Sequence, residues 1–444
     1  MQPTTQKNRF SQFRIWIVKK WQTDTPVASI FRDMTILATG SGAAKAIGLF
    51  SAPIITRIYT PEHMGVLAVF TAFTFMLVPF GTLRYNMAIP LPQHDGLATN
   101  LVVLCGIFLS FSFLFAFVVL WLTAPSLFSF LSMEELLPFW WLLPVAVAGT
   151  GLYEMLTNWA VREKEFKPIA KTKVWQKISG ATLKILLGLL NVKPLGLLIG
   201  FIFTSAGGVG SLLMVFQVKL RSNLKYVTIK RMKFLIMRYG DFPKYRLPSR
   251  FLLSFSTKLP IFFFASQFDP GTTGQLGLSF TMLAFPMALF GSTTSLAYYG
   301  QIAGIGQKNR SEIYKTTKGI TKRLFLVSIG PCLILIFFGP WIFQVVFGSL
   351  WRDAGHFAGL MSFFMLAEFV TSPITNVLNV INKQDYFLKM NIIRLILSLI
   401  VFSTSYLFRF SPSHTLLLYS LSLSAYNCFF YYNIMLLIGK KNLA

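Results

Sequence analysis

The sequence predicts an all-α integral membrane protein with about twelve transmembrane helices arranged in two six-helix lobes. Of its 444 residues, 54% are hydrophobic and only 13% are charged, whereas a soluble domain carries about 25% charged residues. Apolar runs of about 18 residues or more recur along the chain, each long enough to cross a hydrocarbon core of about 30 Å. A long basic connection separates these runs into two equal groups, which predicts the two lobes.

Twelve stretches are candidate transmembrane spans, and their even number places both termini on one side of the membrane. The spans are predicted at 34–56, 65–88, 99–123, 136–160, 169–191, 194–217, 248–268, 274–303, 325–347, 357–381, 387–408 and 414–438. With a cytoplasmic N-terminus, only four of the 41 Lys and Arg residues fall in outer loops, namely Arg57, Lys193, Arg352 and Arg409. Because loops rich in Lys and Arg stay in the cytoplasm, the sequence predicts that both termini are cytoplasmic.

The predicted division of the chain follows these spans. It comprises a basic cytoplasmic leader (1–33), an N-lobe (34–217), a basic cytoplasmic linker (218–247), a C-lobe (248–438) and a cytoplasmic tail (439–444). In the leader, residues 9–21 place Phe10, Phe13, Ile17 and Trp21 on one helical face. This pattern is typical of a helix that lies in the membrane interface, and a mobile basic tail is the alternative.

The net charge is +26. We explain it first by the membrane topology and by contact with anionic lipid, rather than by another partner. Within the linker, residues 219–246 contain nine Lys or Arg and one acidic residue. We therefore expect this segment to lie on anionic lipid, with a site for a cytoplasmic partner as the alternative. Nucleic-acid binding is disfavoured because the basic residues are scattered over loops between spans.

Proline and glycine recur at similar spacing in the two halves. Two prolines that are 26 residues apart flank a glycine in each half, and the prolines of the second half follow those of the first by 207 residues. The two sets are Pro53, Gly65, Pro79 and Pro260, Gly274, Pro286. Parallel repeats are a known transporter architecture. A proline inside a helix removes a backbone hydrogen bond, so these four prolines are candidate hinges, or else static kinks.

Three ionisable residues are predicted near the midplane of the bilayer. Lys45, Lys258 and Glu368 lie about 15–17 Å along their spans, where charge is costly and usually faces a cavity or a partner. The two lysines occupy equivalent helices of the two halves, which favours a shared site for an anionic substrate. An ion pair of Lys45 with Glu368 or Glu154 is the alternative.

Other charged residues lie nearer the cytoplasmic ends of their spans. Arg84, Glu154 and Arg394 are close enough to the interface for their side chains to reach water. Glu154 and Glu368 are candidates for coupling transport to protons or sodium ions.

The fifth span carries three lysines on one face. Lys173 and Lys177 are predicted to reach the interface, whereas Lys184 lies deeper and is expected to face a cavity. On the first span, small residues recur every four positions and permit close helix packing. These residues are Gly40, Ala44, Gly48 and Ala52.

Nothing in the sequence predicts a catalytic, metal or cofactor site. The histidines are isolated and lack metal-ligand spacing; they are His63, His94, His356 and His414. No predicted outer loop exceeds about a dozen residues, so there is little room for a catalytic loop. The expected class is therefore a transporter rather than an enzyme.

Four local motifs resemble the polysaccharide and O-antigen flippase family, within the multidrug/oligosaccharidyl-lipid/polysaccharide exporter superfamily. They are TRIYTPEHMG (56–65), LRYNMAIPLP (83–92), VFGSLWRDAG (346–355) and SPITNVLNVINKQ (372–384). The resemblance runs from about residue 32 to 438. In the first motif Thr60 can cap a helix that begins at Pro61, with Glu62 in its first turn. Arg57 beside it is a topological anchor or an outer-gate cation.

The resemblance implies a central cavity walled chiefly by helices one, two, seven and eight. It also implies translocation of an undecaprenyl-diphosphate-linked oligosaccharide, from the inner to the outer leaflet of the bacterial inner membrane, for O-antigen or related lipopolysaccharide synthesis. Lys45, Lys258, Arg84, Lys184 and Arg57 are the candidate substrate-binding residues on this view. A polysaccharide polymerase or a chain-length regulator is an expected partner.

Two other functions stay open at this point. A drug/cation antiporter of the same superfamily would favour acidic midplane residues, and here two lysines face one glutamate. A membrane enzyme of glycan assembly would need a base or nucleophile near an outer loop.

Overall fold

The computed structural model describes residues 26–287, 291–305, 309–381 and 383–439. Within these ranges the chain is helical and contains no strand, which confirms the all-α fold class. The predicted interfacial helix at 9–21 and most of the predicted tail lie outside the described residues. The helices are α1 (Pro26–Ile58), α2 (Pro61–Gly81), α3 (Asp95–Phe130), α4 (Leu142–Arg162), α5 (Phe166–Leu189), α6 (Leu195–Ala206), α7 (Val209–Asn223), α8 (Ile229–Arg238), α9 (Leu247–Gln267), α10 (Pro270–Pro286), α11 (Ser292–Ile305), α12 (Arg310–Phe347), α13 (Arg352–Thr371), α14 (Val377–Val380), α15 (Gln384–Leu407) and α16 (Pro412–Gly439).

Each predicted span overlaps one helix or two consecutive helical segments. The sixth, eighth and tenth spans are interrupted, because α6 and α7, α10 and α11, and α13 and α14 are separate segments. The second span was predicted to reach residue 88, but α2 ends at Gly81 and a turn follows. Arg84 therefore lies beyond the helix.

By length and composition, seven of the described helical stretches are apolar enough to cross a membrane. Helices α1, α5 and α9 are not among these seven. Each of these three helices carries at least one lysine, as expected for a helix that faces a polar cavity rather than lipid. The number of helices that cross and their orientation stay predictions.

The two halves begin their second helix in the same way. Helix α2 starts at Pro61 after Thr60, and α10 starts at Pro270 after Asp269. The Asp269 Oδ1 atom accepts a hydrogen bond from the Thr272 backbone N–H at 2.8 Å. A proline at the first helical position is favourable because its missing N–H would have no partner there.

Helices α2 and α10 cross at a pair of glycines. A Cβ atom built on Gly65 would lie 2.1 Å from the Pro270 carbonyl oxygen, and one on Gly274 would lie 1.8 Å from the Pro61 carbonyl oxygen. These reciprocal contacts are between backbones, so no side chain can turn away to make room. Glycine at both positions permits this close approach.

Residues of the first and third sequence motifs contact each other beside this crossing. The Thr56 hydroxyl donates to the Phe347 carbonyl oxygen at 3.1 Å, and the Trp351 indole Nε1 donates to the Thr56 carbonyl oxygen at 2.9 Å. Trp351 is fully buried in a core cluster to which both halves contribute. The halves are thus joined at the end where α1 finishes and α2 begins.

Trp351→Phe should destabilise this junction. The Thr56 carbonyl would lose its indole donor, and an unsatisfied buried polar group costs about 1–3 kcal/mol. We expect a lower midpoint of thermal unfolding in detergent. Trp341→Phe is the matched control, because Trp341 is 64% exposed; an equal loss in both variants would contradict a specific role for the hydrogen bond.

Helices α2 and α9 run antiparallel and pack through aromatic rings. The rings of Phe73 and Phe262 are 4.7 Å apart, and those of Phe80 and Phe251 are 5.3 Å apart. This packing closes one side of the space between the halves and leaves a cavity behind it.

Candidate functional site

A cavity of about 610 Å³ lies between the two halves. Its walls come from α1, α2, α5, α9 and α10, with further residues from α6, α13, α15 and α16. Among the described residues that line it, five are basic and none is Asp or Glu. The five are Lys45, Lys177, Lys184, Lys258 and Arg394.

Two of these lysines come from α5. Lys177 and Lys184 lie two helical turns apart on one face of α5. Helix α5 packs closely against α1, since a Cβ built on Gly40 would lie 2.7 Å from the Ala170 Cβ. This packing directs the face with the two lysines inward. Lys177, which was expected to reach the interface, lines the cavity, and its reach to the interface stays a prediction. Gly200 of α6 gives room to Lys184, since a Cβ there would lie 2.3 Å from the Lys184 Cγ.

The face of small residues on α1 has two roles. Gly40 packs against α5, and Ala44 is buried. Gly48 and Ala52 line the cavity, and no atom lies within 4 Å of a Cβ built on Gly48. Lys45 belongs to the same stretch of cavity wall.

Lys258 supplies a cation from the second half. It lies on α9, and its Nζ atom is 5.8 Å from the centroid of the Phe75 ring of α2. An aromatic face stabilises a partly desolvated ammonium without neutralising it. The cation therefore stays available to an anion in the cavity.

The two glutamates considered as partners of Lys45 are each bound to an arginine. Glu154 lies 3.6 Å from Arg84 Nη1, and it accepts a hydrogen bond from Asn86 Nδ2 at 3.2 Å. Glu368 lies 3.4 Å from Arg394 Nη1 in the second half. Both candidates for ion coupling thus already have a positively charged neighbour.

The structure places Arg84 and Arg57 away from the lining of the cavity. Arg84 follows the end of α2 in a left-handed conformation, with φ at 63°, so its side chain turns toward Glu154. Arg57 is exposed in the last turn of α1, and its Nη2 atom donates to the Val345 carbonyl oxygen at 3.4 Å. It therefore bridges the halves at their junction.

The four candidate hinge prolines occupy different settings. Pro53, Pro79 and Pro260 lie inside continuous helices, whereas Pro286 is the last residue of α10. Helix α11 begins only at Ser292. A hinge role for these prolines stays a prediction.

A cavity of this kind can hold an anion in a partly apolar environment. Hydroxyl groups of Ser51, Thr71, Thr204 and Thr281 lie among the lining residues and can hydrogen-bond to a polar ligand. Among the described residues, no group of three or more His, Cys, Asp or Glu is placed to bind a metal ion. The lining thus combines basic side chains with hydroxyl groups, which suits the binding of a polar anion.

The family comparison identifies the chain. The model of a family described as polysaccharide biosynthesis protein matches residues 54–356, which is more than half of the sequence. The chain belongs to this polysaccharide biosynthesis family. The matched range contains α2 to α12 and the whole of the first, second and third motifs.

Solved structures show which fold this family member adopts. The lipid II flippase MurJ in an inward closed conformation is similar over 92% of this chain and 91% of its own, with 15% identity and a TM-score of 0.67. An inward-facing multidrug resistance MATE family transporter of the MOP superfamily is similar over 92% and 96%, with 13% identity and a TM-score of 0.59. A MOP superfamily transporter from Pyrococcus furiosus is similar over 92% and 95%, with 13% identity and a TM-score of 0.53. No curated protein matches the sequence.

These comparisons confirm the family and the all-α fold class predicted from the sequence. The chain is a member of the polysaccharide biosynthesis family, and its fold is similar to that of the MurJ flippase and of MATE transporters. Lys177 and Arg394 line the cavity, but they were not predicted as site residues. Their helices carry several charges, and sequence position alone does not reveal which of them turns inward.

Proposed function

We propose that this protein is a flippase for an undecaprenyl-diphosphate-linked oligosaccharide, either O-antigen or a related surface-polysaccharide repeat. It would move this lipid from the inner to the outer leaflet of the bacterial cytoplasmic membrane by alternating access. The observation that carries the proposal is the cavity between the halves: of the described residues that line it, five are basic and none is Asp or Glu. Membership of a polysaccharide biosynthesis family supports a glycan cargo.

In this mechanism the diphosphate meets Lys45 and Lys258, one from each half. The glycan occupies the polar lumen, and the prenyl chain stays in lipid between the halves. The halves then rock, and the candidate hinge prolines absorb the bend. Outward movement of negative charge across an inside-negative membrane gains about 2.3 kcal/mol per charge per 100 mV.

Coupling to a proton or sodium gradient is a separate part of the proposal. Glu154 or Glu368 would have to release its arginine partner and bind the coupling ion instead. The membrane potential or the binding of cargo would have to favour this exchange. If the flipping rate in vesicles depends on neither the proton nor the sodium gradient, ion coupling is wrong and the flippase proposal stands. Anionic lipid at the linker, a polymerase and a chain-length regulator are the proposed partners.

A drug/cation antiporter of the same superfamily is the alternative function. The fold alone is compatible with it, since the similar solved structures include multidrug transporters. A cation binding in this cavity would however meet basic side chains, of which Arg394 alone has a described glutamate beside it, and their positive charge would repel it. The charge of the lining therefore favours an anionic cargo.

The test uses the purified full chain in liposomes that contain a labelled undecaprenyl-diphosphate oligosaccharide. We would measure how fast the glycan becomes accessible to a membrane-impermeant sugar-modifying reagent. Acceleration over protein-free liposomes is the expected result. Transport of a cationic dye without any acceleration of the lipid would overturn the proposal in favour of the antiporter.

A further inference from the structure

The second half of the cavity contains an arginine that the mechanism above does not use. Arg394 lies on α15 and lines the cavity, whereas Glu368 on α13 is not among the lining residues. The Arg394 side chain is 11% exposed and that of Glu368 is 23% exposed. An arginine that is mostly buried yet borders a polar cavity combines a high desolvation cost with access to a ligand.

The guanidinium of Arg394 contacts the Glu368 carboxylate, the Phe364 ring and the Tyr419 hydroxyl. Nη1 lies 3.4 Å from both carboxylate oxygens of Glu368, and Asn427 Nδ2 donates to Glu368 at 3.2 Å from α16. The guanidinium lies over the Phe364 ring at 5.6 Å. The Nε atom is buried and has no hydrogen-bond partner.

This geometry differs from that of a structural ion pair. A guanidinium presents five donors in a planar fork and commonly binds an oxyanion through two parallel hydrogen bonds at about 2.7–2.9 Å. The contacts with Glu368 are longer and use a single nitrogen. Among the described residues the Nε donor has no acceptor, and the Tyr419 hydroxyl beside the fork is a neutral partner rather than an oxyanion. Phe364 and Tyr419 also line the cavity.

We propose that Arg394 is an additional anion-binding residue of the cavity, which takes an oxyanion of the cargo while Glu368, held by Asn427, serves as its resting counter-ion. This inference rests on the proposed function, because it assigns one more contact to the same cargo. The oxyanion is a phosphoryl group of the diphosphate or a carboxylate of an acidic sugar. Cargo binding would then compete with Glu368 for the same guanidinium.

The experiment measures equilibrium binding of two probes to the full chain in nanodiscs. One probe is an undecaprenyl-diphosphate trisaccharide with neutral sugars, and the other has one hexuronic acid in place of a neutral sugar. Arg394→Gln should weaken binding by about tenfold or more, as expected for loss of a charge-assisted contact. Weaker binding of both probes assigns Arg394 to the diphosphate, and weaker binding of the acidic probe alone assigns it to the sugar carboxylate.

Two variants separate binding from stability. Arg394→Gln leaves the Glu368 carboxylate without its counter-ion and is expected to lower the melting temperature. The double variant Arg394→Gln/Glu368→Gln removes both charges, so stability should recover while binding stays weak. Lys389→Gln on the same helix is the matched control, because Lys389 is exposed and does not line the cavity.

The role of Glu368 has its own directional test. Glu368→Gln removes the competitor for the guanidinium and should tighten binding of the anionic probe severalfold, whereas a merely structural carboxylate would not. Unchanged or weaker binding in this variant would overturn the counter-ion role. Arg394→Lys should fall between wild type and Arg394→Gln, because an ammonium cannot form the parallel pair of hydrogen bonds.

The outcome that overturns the inference is distinct from failure of the proposed function. If the stable double variant binds both probes as tightly as wild type while Lys45→Ala weakens binding, Arg394 has no part in the site and the flippase proposal stands. If neither Lys45→Ala nor the Arg394 variants affect binding of either probe, both proposals fail.

Discussion

Replacing both Lys45 and Lys258 with alanine should nearly abolish flipping while the protein is still made and folded. Each charge-assisted contact contributes about 1.5–3 kcal/mol, and about 1.4 kcal/mol corresponds to a tenfold change. The double variant should therefore flip the lipid at least about a hundredfold more slowly, with each single variant in between. The liposome assay described above measures this rate.

Protein abundance and melting temperature should stay close to wild type, because both side chains border a cavity rather than a close-packed core. Lys167→Ala is the matched control, since Lys167 is exposed near the start of α5 and does not line the cavity. A loss of abundance without a change in flipping rate per molecule would instead assign Lys45 to a structural ion pair. Equal flipping by all variants would exclude these lysines from the path of the cargo.

Gly274→Ala should force α2 and α10 apart at the junction between the halves. The added Cβ would lie 1.8 Å from the Pro61 carbonyl oxygen and 2.8 Å from the Gly65 backbone nitrogen, so the helices must separate. Overpacking of this kind costs about 1–3 kcal/mol. We expect a lower melting temperature and a shift toward conformations that are open at this end.

Spin labels at Glu62 and Gln267, which are both exposed beside the crossing, would measure the separation after the exposed Cys428 is replaced by serine. Gly106→Ala is the matched control: no atom lies within 4 Å of a Cβ there. In that helix interior alanine is favoured over glycine by about 1 kcal/mol, so Gly106→Ala should raise the melting temperature whereas Gly274→Ala lowers it. An unchanged label distance in Gly274→Ala would contradict the crossing as the contact that keeps this end closed.

The positions of the helices could largely be predicted from the sequence, because hydrophobic run length reports on membrane crossing directly. The overlap of all twelve predicted spans with helices reflects this. The end of α2 could not be predicted: the apolar character continues past Gly81, and the helix is followed by a turn in which Leu83 and Arg84 both have positive φ.

The partners of the charged residues could not be predicted, because depth along a span does not specify direction around it. Lys45, Lys184 and Lys258 were placed at a cavity by depth, and all three line one. Lys177 and Arg394 were expected near the interface, yet both line the same cavity. The rotation of α5 against α1, and of α15 against α9 and α16, decides this, and it is set by packing rather than by local sequence.

The sequence by itself determined that this is an all-α membrane protein of a polysaccharide biosynthesis family with basic residues inside its spans, since hydropathy, charge and motif order are properties of the chain alone. Tertiary structure decided how those features are used. Thr56 and Trp351 are 295 positions apart and share a hydrogen bond, and Gly65 and Gly274 meet at a crossing of two backbones. Such contacts depend on how two halves dock, and docking is fixed by the shape of many helices together.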